Sequence, residues 1–424
     1  MRKSTIRILA ACIFTAALLM TMPAAAQEMQ KAYSDAELAK VREWEKTWAG
    51  KKITAANVDQ VSQFMPDTLV DIIKNPDKWS GPPEGYFFTI RPYEFISETP
   101  NFIAASKASA GKAKLAEDGS IENLAELAGR LFMDPGEDAM KMAWNFEMQN
   151  RGDAYTYRKY SPNINPKNRS ERLADQQYSE FYYVNRTELD PKPAIPKNKK
   201  GYRRGMFLHM YLPAEFINTR MFTLRYIDQK KEDDSYLWYS QFRRIRRMNT
   251  SQRTDAVDGS DLIYDDEYLW DGQLSRNTYS YKGKKELLTD RHDGLTQVTR
   301  DPGQSLSNNL TFERCNLLVV EAINKDPNYL YGKRVWYLDP ETYYIMHTDI
   351  YDQQGRYWKL FFNSTTPLKA STGVMKPVIV GTHFYDVQRT HSGVANAQFV
   401  NQPTVSDTDV KANWFTTSYL QKTY

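Results

Sequence analysis

The sequence is poor in the residues that build most catalytic and metal centres. It holds two cysteines, Cys12 and Cys315, and five histidines, His209, His292, His347, His383 and His391. No two histidines stand at a metal-ligand spacing such as HxxxH, and no metal site is expected. The nucleophile-elbow pattern G-x-S-x-G, the P-loop and the dinucleotide pattern G-x-G-x-x-G are all missing, so no cofactor is expected. His391, Ser392 and Asp386 are neighbours only along the chain, which does not make a triad. The acidic pairs Asp233-Asp234 and Asp265-Asp266 adjoin turns and read as solvated carboxylates rather than an acid/base pair. A strong charge of one sign is lacking too. The 56 basic and 52 acidic residues leave +4 over 424 residues. Arg2, Lys3 and Arg7 supply three of those charges, so the body is nearly neutral and no nucleic-acid partner is expected.

Long apolar runs are scarce. With 25% charged residues and a mean hydropathy of −0.66, the chain is no multi-helix membrane protein. The exception is at the start, where residues 1–26 read as a cleavable secretory signal. Arg2, Lys3 and Arg7 precede the apolar stretch Ile8 to Met22, and Ala24-Ala25-Ala26 offers small residues before a cut at Gln27. Leu9-Ala10-Ala11-Cys12 imitates a lipoprotein box, but the apolar core follows Cys12 instead of preceding it. A secreted chain left with Cys315 alone forms no internal disulfide. Cys315 lies in an apolar run and reads as a small buried hydrophobe.

What is abundant is aromatic: 28 Tyr, 19 Phe and 9 Trp. Residues 27–150 carry helical signals. Ser34-x-x-Glu37 is a capping box, and Leu38, Val41, Trp44 and Trp48 follow at helical spacing. Further helices are expected from Thr54 through Phe64, after Pro66, over Ile121 to Ala128 capped by Ser120, and over Glu137 to Gln149. Over residues 151–424 the pattern becomes alternating, and short turn-like connections such as Lys230 to Asp234 predict a long antiparallel meander. So many strands must curl, split or close. The two parts are expected to form one continuous domain. A membrane-spanning barrel fits poorly, because Thr416, Ser418 and Lys422 stand where a lipid-facing strand needs apolar residues.

One segment draws attention. Tyr236 to Met248 reads as a strand with Trp238, Phe242, Arg244, Arg246 and Met248 on one face, and Arg243 and Arg247 on the other. A covered face would need partners for its guanidinium groups. Asp258, Asp261, Asp265 and Asp266 follow closely and are the expected partners of Arg243, Arg244, Arg246 and Arg247. The alternative is that these arginines line a mouth that meets anionic head groups. Trp336 and Trp358, in late hairpins, join Trp238 and Phe242 as candidates for a cavity or its rim.

These residues resemble a known family. Tyr239 with Phe242-Arg-Arg-Ile-Arg-Arg247, then Gly259-Ser-Asp261 and Tyr264-Asp-Asp266, is similar to the signature of the LolA/LolB-like periplasmic lipoprotein-sorting superfamily. The whole chain resembles its domain of unknown function 1329 branch, through Ile53-Thr-Ala-Ala-Asn57, Asn75-Pro76, Gly129 to Pro135, Met142-Ala-Trp-Asn145, Arg151-Gly152 and Tyr385-Asp-Val-Gln388. The resemblance implies an α+β, mainly β fold: a strongly curved antiparallel sheet, an open half-barrel, wrapped around helices and leaving an apolar cavity. It implies a non-enzymatic periplasmic carrier of a lipid, lipoprotein or other hydrophobic molecule in a Gram-negative bacterium. An inner-membrane exporter of the resistance-nodulation-division type and an outer-membrane protein are the partners it suggests, with the chain itself a monomer. An adaptor docking on such membrane proteins and a cell-envelope hydrolase are the alternatives. Leu131-Phe-Met-Asp-Pro135 departs from the family's usual turn.

Overall fold

A computed structural model describes residues 29–165, 167, 169–257, 260–293, 310–370, 373–398 and 410–422. The expected signal, residues 1–26, and Asp258 lie outside them. Among the described residues, no helix is long and apolar enough to cross a membrane.

The first part holds helices α1 (Asp35–Trp48), α2 (Asp67–Lys74), α3 (Pro100–Ser109) and α4 (Ala139–Glu147). The capping box forms as expected, with the Ser34 amide donating to Glu37 Oε2 at 2.7 Å and the Glu37 amide to Ser34 Oγ at 3.4 Å. α2 follows Pro66, and Asp138 caps α4 by accepting from the Met140 and Lys141 amides. Two expected helices are shorter than the pattern suggests. Thr54 to Phe64 makes only single 3-10 turns, Val58–Gln60 and Ser62–Phe64. Ile121 to Ala128 makes one, Leu124–Glu126, because Ser120 Oγ bonds Asp118 rather than a helix amide. α3 escapes apolar periodicity, although Thr99 with Pro100 is a helix-start signal.

Strands β1 (Lys52–Ile53) and β2 (Phe88–Ile90) tie this part to the sheet. A first meander runs β3 (Ala154–Asn165), β4 (Arg169–Tyr182), β5 (Tyr202–Leu212), β6 (Arg220–Tyr226), β7 (Asp234–Tyr239) and β8 (Arg244–Met248). A second runs β9 (Asn277–Thr289), β10 (Leu310–Asn324), β11 (Lys333–Leu338), β12 (Ile345–Tyr351), β13 (Tyr357–Lys369), β14 (Met375–Asp386) and β15 (His391–Gln398). They form a large curved sheet of mainly antiparallel pairs. It is not one meander in chain order. The second meander precedes the first across the sheet, and β15 pairs with β3 to join them. β2 pairs with β10 in parallel over Leu310 to Phe312, unlike the other pairs of named strands.

This order fixes the path of the segment after β8. β8 is one end of the sheet and β9 pairs with β10 near the other, so Asn249 to Arg276 must cross the sheet. It crosses as a strap of short 3-10 turns. Trp270 of the strap packs with α4, Trp336, Phe361 and Phe384 in the main core. A short C-terminal helix, α5 (Thr417–Leu420), packs on β6 and β7 with Phe207, Phe222 and Phe415.

Candidate functional site: a chamber beneath the strap

Tyr236 to Met248 is not one strand. It turns at Ser240 to Arg243 and pairs with itself, Tyr239 opposite Arg244 and Leu237 opposite Arg246. Arg243 takes φ 48°, the left-handed conformation the turn needs. The reversal redistributes the faces. Leu237, Tyr239, Arg244, Arg246 and Met248 share one, and Tyr236, Trp238, Ile245 and Arg247 the other. All four arginines are exposed. Arg247 pairs with Asp234 at 2.6 Å, and among the described residues none of the four pairs with Asp261, Asp265 or Asp266. The expected lattice is therefore corrected: these acids serve other cations. Asp265 binds Arg253, Asp266 binds Arg334 at 2.6 Å, and Asp261 binds the His391 ring while its carbonyl accepts from Lys359. Asp265 and Asp266 are buried, the Asp233 side chain is only 6% exposed, and all three are paired rather than solvated. Asp265 and Asp266 take their arginines from outside the hairpin, Arg253 and Arg334, while Asp261 takes His391 instead of an arginine.

Beneath the strap lies a partly open chamber with about 90 Å³ of room for water-sized molecules. Its walls follow from register. Lys159 and Ser161 of β3 stand opposite Gln176 and Ala174 of β4. Tyr178, Leu208 and Met221 line up across β4, β5 and β6, as do Met206, Thr223, Ser235 and Met248 across β5 to β8. All are at period-two positions of one sheet face. Val257, Leu262 and Ile263 of the strap close it from above. The methionines give a soft, adaptable apolar lining. Sequence reasoning missed them, though Met206, Leu208 and Met210 alternate in plain view. A neighbouring opening, lined by Met210, Phe216, Tyr239, Arg246 and Arg247, shares Leu208, Met221 and Met248 with the chamber. Arg246 and Arg247 thus border its mouth.

The other aromatic candidates lie elsewhere. Trp238 points to the opposite face and packs in the α5 cluster. Trp336 is fully buried in the main core against Phe146 and Trp270. Trp358 donates its ring N–H to Asp386 at 2.8 Å. Phe242, 68% exposed, stands at the hairpin turn. None of these lines the chamber.

One end of the chamber is anchored by a buried ionic lattice. Arg204 pairs with Glu180 at 2.8 Å and with Asp271, Arg225 with Asp233 at 3.0 Å, and Arg253 with Asp233 at 3.0 Å. Burial alone would raise the Asp271 carboxyl. Arg204, Arg225, Arg253 and Arg151 outweigh it and hold Asp271 below the usual range. The lattice fastens the strap to β5 and β6. A second lattice stands in the second meander, where Arg291 meets Glu313 at 3.2 Å, Asp339 at 3.1 Å, and Glu341. Burial pushes the adjoining Cys315 thiol well above its usual range, so it is not a ready nucleophile.

Comparisons with known proteins fall into line with the sequence. A curated but uncharacterised protein of Pseudomonas aeruginosa is 24% identical over 327 residues, covering 73% of this chain and 67% of that one. A family protein from Desulfovibrio piger superposes with a TM-score of 0.47 at 13% identity, over 66% of this chain and 96% of that one. A LolA superfamily protein from Nitrosomonas europaea gives 0.39 at 12% identity, over 65% and 94%. The model of the family described as protein of unknown function (DUF1329) matches residues 52–421, and the chain belongs to that family.

Proposed function

We propose that this protein is a periplasmic carrier of a lipid, lipoprotein or other hydrophobic molecule, moving it between an inner-membrane exporter and the outer membrane. The observation that carries the reading is the chamber lined by Met206, Leu208, Met221 and Met248 under the strap. A concave apolar pocket with few polar groups is the usual form of a lipid site. Binding and release need no covalent chemistry, and the protein acts without catalysis. Arg246 and Arg247 line the neighbouring opening, with Arg243 and Arg244 on the same exposed hairpin, and there they meet anionic head groups as cargo enters or leaves. The test is native mass spectrometry of protein purified from a Gram-negative periplasm, with extraction of what it holds. A retained lipid-like mass is expected. A protein that is always empty, and that takes up no lipid on incubation, refutes the carrier.

The exposed Phe242 beside Arg243 and Arg244 favours a second reading, an adaptor that docks this hairpin on an exporter or outer-membrane protein. That reading expects stable co-purification with a membrane protein, lost on Phe242→Asp.

A further inference from the structure

Arg151 follows α4 and leads into β3. Its side chain is only 3% exposed, yet none of its Nε, Nη1 and Nη2 atoms has a hydrogen-bond partner among the described residues. The nearest paired carboxylate oxygen, on Asp271, is 4.0 Å away and is already held by Arg204 and Arg225. The Tyr268 ring lies 3.9 Å from the guanidinium carbon. Such stacking satisfies the face of the guanidinium and leaves its N–H edge, five donors in plane, unused. A buried cation with idle donors is costly unless something accepts from it.

The space beside it suggests what. Arg151 lines a second, partly open chamber with about 50 Å³ of room for water-sized groups, together with Tyr155, Tyr157, Tyr268 and Tyr344. Lys159 and Glu267 belong to the walls of both this chamber and the methionine-lined one. They pair at 2.7 Å, so the two spaces meet at that ion pair. The positive side is reinforced by Lys376, buried, whose ammonium donates to the Arg151 carbonyl at 3.1 Å. The carboxylate in the wall, Glu267, is neutralised by Lys159.

We infer that the second chamber is a head-group pocket, in which Arg151 receives the anionic oxygens of an amphiphile whose tail lies among the methionines. The inference rests on the carrier reading and names the cargo class: a long-chain molecule ending in a carboxylate or a phosphate. A planar guanidinium edge matches either with paired N–H···O bonds. The head passes the Lys159–Glu267 pair to reach its place, so that pair separates an occupied from an unoccupied arrangement.

The experiment uses the delipidated full mature chain and three fluorescent polyene probes of equal length: a fatty acid, its methyl ester and the corresponding alkyl phosphate. Both anions are expected to bind about tenfold tighter than the ester, the scale of one charge-assisted hydrogen-bonded pair. Arg151→Gln brings the anions to the ester's affinity and leaves the ester unchanged, and Arg151→Lys restores part of the preference. A preference for one anion over the other identifies the head as carboxylate or phosphate. Equal binding of all three probes to the unmodified protein overturns the inference and spares the carrier. So does a uniform loss in Arg151→Gln, or loss of the preference in Arg246→Gln instead. Binding of none of the probes sinks the carrier reading and this one with it. The comparison of probes on the unmodified protein decides the matter even where Arg151→Gln does not fold.

Discussion

Glu98 is buried at 4% exposure, with Oε2 accepting from Asn150 at 3.0 Å and Oε1 without a partner. Burial raises its carboxyl to about 7, with Arg130 and Asn150 pulling the other way. The sign follows. A carboxyl raised in the folded state favours folding below the unfolded value near 4.5, and that contribution disappears as pH rises through 7. Glu98→Gln keeps an acceptor for Asn150 and removes the charge. It should stabilise the protein at pH 8 by on the order of 1–3 kcal/mol and have little effect at pH 5. Denaturant unfolding at the two pH values measures the difference, and an equal effect at both would refute the assignment. His347 and His383 act in the opposite sense. Burial lowers each to about 3, and His383 stacks on Phe362 with ring centres 4.3 Å apart. Both stay neutral when folded, so their contribution is complete above 6.5 and falls by about 1.4 kcal/mol per pH unit each below it. His383→Gln should flatten stability between pH 6.5 and 4.5. An unchanged slope would show that the ring protonates in place.

At the scale of elements, the strap and the hairpin have opposite requirements. Asp266 joins the strap to β11 through Arg334 and also accepts from Tyr331 at 3.1 Å and the Ile263 amide at 2.8 Å. Asp266→Ala strands a buried guanidinium and should cost about 3–5 kcal/mol, read as a fall in the denaturation midpoint. Arg244→Ala on the exposed hairpin should stay within about 0.5 kcal/mol. Similar losses for both would refute the assignment of the tie to the strap. This contrast also shows what was legible in the sequence. Alternation located most strands of both meanders, but it could not name the partners of the strap's acids, which come from Arg253, Arg334 and His391. The hairpin was hidden because its turn, Ser240 to Arg243, holds no glycine or proline, and an Arg accepts the left-handed position. A period-two pattern reads straight through such a turn. The chamber was missed for a related reason: its Met and Leu residues are single positions on separate strands, brought together only by register. Arg151 gave no signal, since an idle donor is visible only once its surroundings are known.

The whole molecule depends on one seam. The meanders meet where β15 pairs with β3, Ser392 opposite Ile164 and Gly393 opposite Asn163, and the strap ties them again from above. The backbone of any strand edge offers the same donors and acceptors, so alternation could not say which edges would pair. Side-chain volume decides it here. A Cβ on Gly393 would lie 2.2 Å from the Phe384 ring and 2.9 Å from the Pro162 carbonyl oxygen. Phe384 is fully buried in the main core and cannot withdraw without leaving a void. Only glycine therefore lets β14, β15 and β3 close at this spacing. Gly393→Val should weaken the seam by about 1–3 kcal/mol through overpacking. With the seam intact, the meanders unfold together; with it weakened, each keeps its own core, the first around Phe207 and Phe222 and the second around Trp336 and Phe361. Scanning calorimetry should then show one transition for the unmodified protein and two for Gly393→Val, with the first meander melting earlier because its hairpin edge is exposed. A single transition at an unchanged temperature in the variant would mean that the strap alone couples the two halves.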